Sequence, residues 1–171
     1  MTPRIYFCDL AAYNRGKLRG VWIELFEGIQ ADDIQLAIDY MLHHSPYWDA
    51  EEWRIDDTEN FPSLCCSDLE TIAQAANLIH QYGAAAIEGY FAHLGSDADL
   101  DQFEDYYIGA FDSEEDFCQE HLHIAEAAEG IQVFDWATLD QYIDWEAIAN
   151  DAFINSYYSH EAGGKVYVYI R

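Results

Sequence analysis

Apolar and polar residues alternate in the first third of the chain and then change to helical spacing. The alternation predicts one strand over Arg4–Asp9 and a second over 20–26, joined by a turn. Apolar residues recur every three or four positions over roughly 32–43, which predicts an amphipathic helix. A third strand is expected over 53–56. Residues 1–60 are therefore predicted to form an N-terminal α+β subdomain with the order β-β-α-β.

Helical spacing dominates residues 61–108. Ser67, followed three residues later by Glu70, matches a capping box, and Gly83 is expected to end the helix that follows. Two further helices are predicted, one ending at residue 95 and one running from 96 or 97 to 109. This part of the chain is therefore predicted to be a central helical subdomain.

The last third combines both patterns. A helix is expected to begin at 112 or 113 and to end near 130, and Asp144 is expected to cap another. Alternating residues on both sides of Gly163 and Gly164 predict a C-terminal hairpin. The predicted fold class is thus α+β, an elongated chain of three small subdomains: an N-terminal β-sheet plus helix (1–60), a central helical bundle (61–108) and a C-terminal mixed helix and β-hairpin (109–171).

Charge is the most informative property of the composition. The 171-residue chain has 33 acidic and 7 basic side chains, a net charge of −26, and residues 55–164 contain no Lys or Arg. Nucleic acids and anionic membranes need a basic surface on their partner, so both are excluded as partners. Hydrophobic residues at 51% and aromatic residues at 16% argue against disorder, because they suffice for a core. General solubility or a halophilic surface is an alternative explanation of the acid excess.

Targeting signals and cysteines indicate the compartment. No apolar run reaches the ~18–20 residues that span a bilayer, and the first ten residues lack the apolar core of a signal peptide. The four cysteines, Cys8, Cys65, Cys66 and Cys118, do not form a disulfide scaffold. A reducing, cytoplasmic location is expected.

Candidate metal and catalytic sites are incomplete. The acidic run 97–101 matches the opening of a calcium loop, but the glycine and glutamate that the loop needs further on are missing. Cys118, His121 and His123 lack an evident fourth metal ligand, and a core cysteine with surface histidines is the better interpretation. No common catalytic motif is present in the sequence. We therefore expect no metal, no cofactor and no enzymatic activity.

Basic residues are concentrated in one loop, where Arg15, Lys17 and Arg19 alternate with other residues. This loop is either a contact for an acidic surface or ligand, or a solvated loop that balances local charge. We favour the second interpretation.

An acidic surface of this size needs a basic partner. Basic proteins that hold DNA in a groove are the natural candidates, because duplex DNA carries one negative charge per ~1.7 Å of its axis. Carboxylates three or four residues apart on a helix lie about 5–6 Å apart, which is the same scale as phosphate spacing. Rows of carboxylates could thus present a DNA-like potential on a protein scaffold.

Five segments, in order along the chain, carry a resemblance to a known family. They are IYFCDLAAYNRGKLRGVWIEL (5–25), EEWRIDD (51–57), SDLETIAQAANLIHQYG (67–83), LGSDADLDQFEDYYIGAFDSEEDFCQEHL (94–122) and IDWEAIANDAF (143–153). The most specific are residues 10–14 leading to 20–22, and the segment 107–117. Together they resemble the ArdA antirestriction family over nearly the whole chain.

The resemblance implies a DNA mimic carried by conjugative plasmids and transposons. Such proteins are elongated homodimers that occupy the DNA groove of type I restriction–modification enzymes, chiefly the methyltransferase core. The family's antirestriction motif falls within 94–122, and dimerisation would involve residues after about 109. The carboxylates expected to bind the partner are Asp68, Glu70, Glu88, Asp97, Asp99, Asp101, Glu104, Asp105, Asp112, Glu114, Glu115, Asp116, Glu120, Glu126 and Glu129.

A second function stays open at this point. An acidic chaperone or interaction module for histone-like and other basic DNA-binding proteins would show the same charge. It would bind many basic partners with similar strength, whereas an antirestriction protein would select a restriction–modification subunit.

Overall fold

The chain has an α+β fold with two small antiparallel sheets, which confirms the predicted class. A computed structural model describes residues 2–65, 68–95, 98–122 and 140–171. Backbone contacts group the chain into two compact units, residues 1–100 and 101–171. The finer division into three subdomains stays a prediction. In the part of the chain that is described, no helix is long and apolar enough to cross a bilayer.

The first unit is built on a three-stranded sheet with β1 at its centre and the order β2-β1-β3. Both pairings are antiparallel, so the predicted β-β-α-β order is confirmed. Its elements are β1 (Arg4–Asp9), α1 (Leu10–Tyr13), β2 (Gly20–Glu24), α2 (Ala31–His43), β3 (Trp53–Glu59), a 3₁₀ turn (Ser63–Cys65), α3 (Leu69–Tyr82) and α4 (Ala84–Leu94).

The core of this unit forms where helix α2 packs on β1 and β2. Ile5 and Phe7 of β1 and Ile34 and Ile38 of α2 are fully buried, because alternation in the strand and helical spacing in α2 aim them inward. Helix α3 packs in turn on α2 and on α4. The expected helix end at Gly83 is confirmed, since this residue takes φ 89° between α3 and α4.

The second unit is a three-stranded sheet of order β4-β6-β5 covered on one face by helices. Phe117, Cys118, Phe153, Val166 and Val168 form its core. The predicted C-terminal hairpin is confirmed, and Gly163 and Gly164 both take positive φ in its two-residue turn. The elements are a 3₁₀ turn (Leu100–Gln102), α5 (Phe103–Tyr106), β4 (Tyr107–Phe111), α6 (Glu114–His121), α7 (Trp145–Asn155), β5 (Tyr157–Ala162) and β6 (Lys165–Ile170).

The predicted helix running to residue 109 is wrong. Helix α5 ends at Tyr106, and Tyr107–Phe111 forms strand β4, paired antiparallel with β6. The aromatic and β-branched residues of this stretch suit a pleated strand, and β6 supplies the backbone partner about 60 residues later. Ser96 and Asp97, the expected caps of that helix, lie outside the described residues.

The starts of three other helices can be compared with expectation. Helix α3 is capped by Asp68 rather than Ser67, which lies outside the described residues. Asp144 caps α7 as predicted, because its Oδ1 accepts a hydrogen bond of 3.0 Å from the Ala147 N–H. Helix α6 begins after Ser113 and ends at His121, while its expected extension over 123–130 falls outside the described residues.

A buried carboxylate ties the first unit together. Asp9 is fully buried at the end of β1 and caps α1, its Oδ1 accepting from the Ala12 N–H at 3.0 Å. Its Oδ2 accepts from the Ser45 hydroxyl at 2.6 Å and lies 3.6 Å from Arg19 Nε. Asp9 therefore joins β1, α1, the loop before β2 and the segment after α2.

Replacing Asp9 by alanine should destabilise the first unit by about 2–4 kcal/mol. The change removes a helix cap worth about 1 kcal/mol and leaves Ser45 and Arg19 without their carboxylate, at about 1–3 kcal/mol for buried groups that lose a partner. The midpoint of urea unfolding measures the effect, with the exposed Glu51→Ala as the matched control. Equal midpoints for Asp9→Ala and Glu51→Ala would contradict this role.

Candidate functional site

Most carboxylates of the chain lie on its surface. The described part contains 29 Asp and Glu, of which 23 are exposed and only Asp9 is buried. Exposed carboxylates keep their hydration and need no partner within the chain. The negative charge is therefore available to a partner rather than enclosed in a cavity.

Five of the seven Lys and Arg side chains pair with carboxylates of the chain itself. Because there are only seven Lys and Arg for 33 acids, at least 26 acids have no basic side chain to match them. Apart from Arg19–Asp9, whose carboxylate is buried, these pairs are at least partly exposed, and such pairs add little stability, so their main effect is to neutralise the cations. The pairs are Arg4–Glu59 at 2.7 Å, Arg15–Asp49 at 2.9 Å, Arg19–Asp9 at 3.6 Å, Lys165–Asp112 at 2.6 Å, and Arg54–Asp56.

The basic loop 15–19 is anchored within the first unit. Arg15 binds Asp49, and this contact lowers the pKa of the Asp49 carboxyl below its usual value. Arg19 donates to the His44 carbonyl at 2.7 Å. These contacts support the interpretation that both arginines balance local charge.

Helix α3 carries two of the expected carboxylates at its start. Asp68 Oδ1 accepts from the Thr71 N–H at 2.8 Å, and its Oδ2 from the Thr71 hydroxyl at 2.9 Å. Glu70 lies exposed in the first turn, where the helix dipole favours an anion. Asp68 thus has a structural role beside any role in binding, whereas Glu70 is free of a capping duty.

Around α4, the expected carboxylates of Glu88 and Asp99 are exposed. The buried Tyr90 donates its hydroxyl to the Asp99 carbonyl at 2.6 Å. This bond fixes the backbone that carries Asp99, so its carboxylate is displayed from an ordered position.

The stretch from the 3₁₀ turn into α5 displays three expected carboxylates. Asp101, Glu104 and Asp105 are exposed, while Phe103 between them is fully buried. Phe103 stacks on Tyr107 of β4 with ring centroids 5.0 Å apart. An apolar anchor thus holds a short acidic turn on the second unit.

Helix α6 presents the densest group of expected carboxylates. Ser113 caps it by accepting from the Asp116 N–H at 3.0 Å, and Glu114, Glu115 and Asp116 fill the first turn, where the dipole stabilises them. Asp116 and Glu120 are four residues apart on the side away from the core. The helix dipole therefore offsets part of the repulsion among the acidic residues in the first turn of α6.

Asp112, Glu114, Glu115 and Glu161 meet around an open depression of about 620 Å³. Ser159 donates to Glu114 at 2.5 Å, which fixes that carboxylate against β5. Lys165 at the hairpin pairs with Asp112, and this contact raises the pKa of its ammonium. Three carboxylates beyond the Lys165 pair make the depression suited to a guanidinium or ammonium group from a partner.

Metal binding has no support in the described ranges, where no group of three His, Cys, Asp or Glu has the arrangement of a metal site. Cys118 is fully buried in the core and His121 is exposed, as the interpretation of that cluster predicted. His121 stacks on Phe117 at 5.0 Å between ring centroids. His123 lies outside the described residues.

Three of the expected partner-binding residues, Asp97, Glu126 and Glu129, also lie outside the described residues. Sequence reasoning missed other exposed carboxylates, among them Glu161 at the depression and Asp32 and Asp39 on α2. The helical spacing of α2 gave a signal for its acidic outer face. No signal in the sequence marks Glu161 as part of the site, because its position follows from the pairing of the hairpin.

The chain matches a protein-family model over most of its length. The model described as Antirestriction protein (ArdA) matches residues 5–167. A search of curated proteins finds no match to the chain. The family match spans both compact units and confirms the resemblance drawn from the sequence segments.

Alkaline pH should weaken the second unit through Cys118. Burial first, and then the charges of Glu114 and Glu115, raise the pKa of its thiol to about 11. In the unfolded chain the thiol ionises near its ordinary value of about 8.5, so its contribution to stability is complete below that pH and is lost as the pH rises toward 11. The urea midpoint should therefore fall over this range more steeply for the natural chain than for Cys118→Ala. Parallel curves would refute the assignment.

Proposed function

The chain belongs to the ArdA antirestriction family, and we propose that it inhibits type I restriction–modification enzymes by occupying their DNA groove in place of DNA. Inhibition of restriction follows from family membership. The mimicry of DNA and the competitive mechanism are our proposal, as are the methyltransferase core as target and the cytoplasm as location. The inhibition would protect the incoming DNA of a conjugative plasmid or transposon.

The observation that carries this proposal is the imbalance between exposed carboxylates and available cations. Net charge −26 corresponds to the phosphates of about 13 base pairs at the charge density of duplex DNA. Several of the exposed acids, such as Glu70, Glu104 and Asp105, lie in the first turns of helices whose apolar residues are buried in the core of their unit. Within each unit, such a scaffold holds negative charge in fixed positions, as the sugar–phosphate backbone does.

Electrostatics supplies both the rate and much of the affinity in this mechanism. A negative field steers the chain toward a basic groove, and association displaces the counterions of that groove. This mechanism needs no catalytic step, since filling the groove is enough to block DNA. Binding should therefore weaken steeply as salt increases.

We also propose that the protein acts as a homodimer joined through the C-terminal part of the chain, giving an elongated charged surface. The exposed apolar side chains of Tyr142, Ile154 and Ile170 in the second unit support an interface there. A dimer would double the charge to the equivalent of about 26 base pairs.

Competition with DNA tests the mechanism directly. In a cleavage assay with a type I enzyme and unmodified DNA, inhibition should be relieved by raising the DNA concentration and should weaken with added salt. The matched control is a neutral protein at the same concentration. Inhibition that excess DNA leaves unchanged would count against occupation of the groove.

Single and multiple neutralisation should differ sharply. Asp101→Asn should change the inhibition constant by less than about threefold, because one exposed charge contributes weakly. Neutralising ten candidates that lack a capping role should abolish inhibition while circular dichroism shows the fold intact. The ten are Glu70, Glu88, Asp99, Asp101, Glu104, Asp105, Asp112, Glu115, Asp116 and Glu120.

Loss of all inhibition from one such substitution, without unfolding, would instead indicate a discrete binding site. Capture from a bacterial lysate distinguishes the acidic-chaperone alternative. A restriction–modification subunit should dominate the captured proteins, and a broad set of abundant basic proteins would favour the chaperone.

A further inference from the structure

The outward face of helix α2 carries apolar side chains where a surface helix normally carries polar ones. Leu36 and Tyr40 are 71% and 67% exposed, four residues apart, and point away from the buried Ile34 and Ile38. The rest of the helix is amphipathic in the ordinary sense. These two residues add nothing to the core of the first unit and are available to a partner.

Carboxylates surround this pair. Asp32 and Asp39 lie exposed on the same side of α2, and Gln35 donates to Asp39 Oδ1 at 2.7 Å. Residues 20–53 contain eight acids and no Lys or Arg. The α2 face, defined as Asp32, Leu36, Asp39 and Tyr40, therefore combines an apolar centre with an anionic border.

The border determines which kind of partner fits. A second copy of the chain would bring carboxylates against carboxylates, and nucleic acid or an anionic lipid surface would be repelled in the same way. A protein surface with an apolar depression between Lys or Arg side chains complements both parts of the α2 face.

Tyr40 is also held in place before any partner arrives. Its ring lies 4.1 Å from the ring of His44, between centroids, and His44 Nδ1 lies 2.8 Å from the Tyr40 carbonyl oxygen. A side chain that is already ordered loses little conformational entropy on binding. Exposed aromatic residues with this property often dominate the binding energy of an interface.

We propose that the α2 face is an anchoring site that docks on a basic protein surface through Leu36 and Tyr40. The inference rests on the proposed function, because it places that surface on the inhibited restriction–modification enzyme. The anchor supplies apolar contact, which salt does not screen, and so adds affinity and selectivity that carboxylates alone cannot provide. The chain then competes with DNA through apolar contact in addition to electrostatic attraction.

The test compares binding to the methyltransferase core over a series of salt concentrations. Leu36→Gln combined with Tyr40→Gln should weaken binding about tenfold or more at every salt concentration and leave the salt slope unchanged. Asp32→Asn combined with Asp39→Asn should instead reduce the salt slope. Leu18→Gln is the matched control, since Leu18 is 77% exposed but lies between Lys17 and Arg19. It should bind like the natural chain.

The outcomes separate this inference from the proposed function. Suppose that the natural chain binds the enzyme and is displaced by DNA. Unchanged affinity of the Leu36/Tyr40 variant then overturns the anchor and leaves DNA competition standing. An equal loss from Leu18→Gln also overturns it, because any exposed apolar residue would then matter. A natural chain that does not bind the enzyme, or that DNA cannot displace, refutes the proposed function itself. Circular dichroism of each variant verifies that the helix persists.

Discussion

Repulsion among carboxylates is the constraint to which the rest of this structure is adapted. Thirty-three acids share the chain with seven basic residues, so folding gathers like charges without enough cations to compensate. The chain keeps these charges at the surface, where water and salt screen them. Apolar side chains, among them Ile5, Phe7, Phe117 and Phe153, are buried in two cores. A basic partner would relieve the repulsion that the free chain retains, and this couples the fold to the proposed binding.

Some of the carboxylates stabilise the fold because they lie at the starts of helices. Asp9, Asp68 and Asp144 each accept a hydrogen bond from a backbone N–H at the start of a helix, and Asp33 accepts one from the Gln30 N–H before α2. The helix dipole stabilises such charges locally while they still add to the field of the whole surface. The acids are therefore not interchangeable: capping residues contribute to folding, and exposed ones such as Glu104 contribute chiefly to the field.

Local sequence patterns predict most of the helices and strands of this fold. They fail where pairing with a segment distant in the sequence determines the structure. Alternation in β1 and helical spacing in α2 predicted their elements, and the paired glycines predicted the hairpin. The predicted helix up to residue 109 includes the first residues of strand β4, because local spacing does not report that its partner β6 lies about 60 residues away. For the site, the charge count predicts a carboxylate surface, but the position of Glu161 beside α6 depends on the pairing of the hairpin. The spacing of α2 places Leu36 and Tyr40 on its outer face but does not report that they are exposed. Exposure depends on what the remaining chain covers, and sequence spacing alone does not report it.

In the proposed mechanism, the carboxylates of this chain occupy the place of DNA phosphates on the enzyme. Lysine footprinting of the methyltransferase core measures this directly, by comparing the enzyme alone, with DNA and with the chain. If the carboxylates take the place of the phosphates, the lysines protected by DNA are also protected by the chain, together with a smaller set outside the DNA contact. Protection confined to lysines that DNA leaves reactive would contradict it.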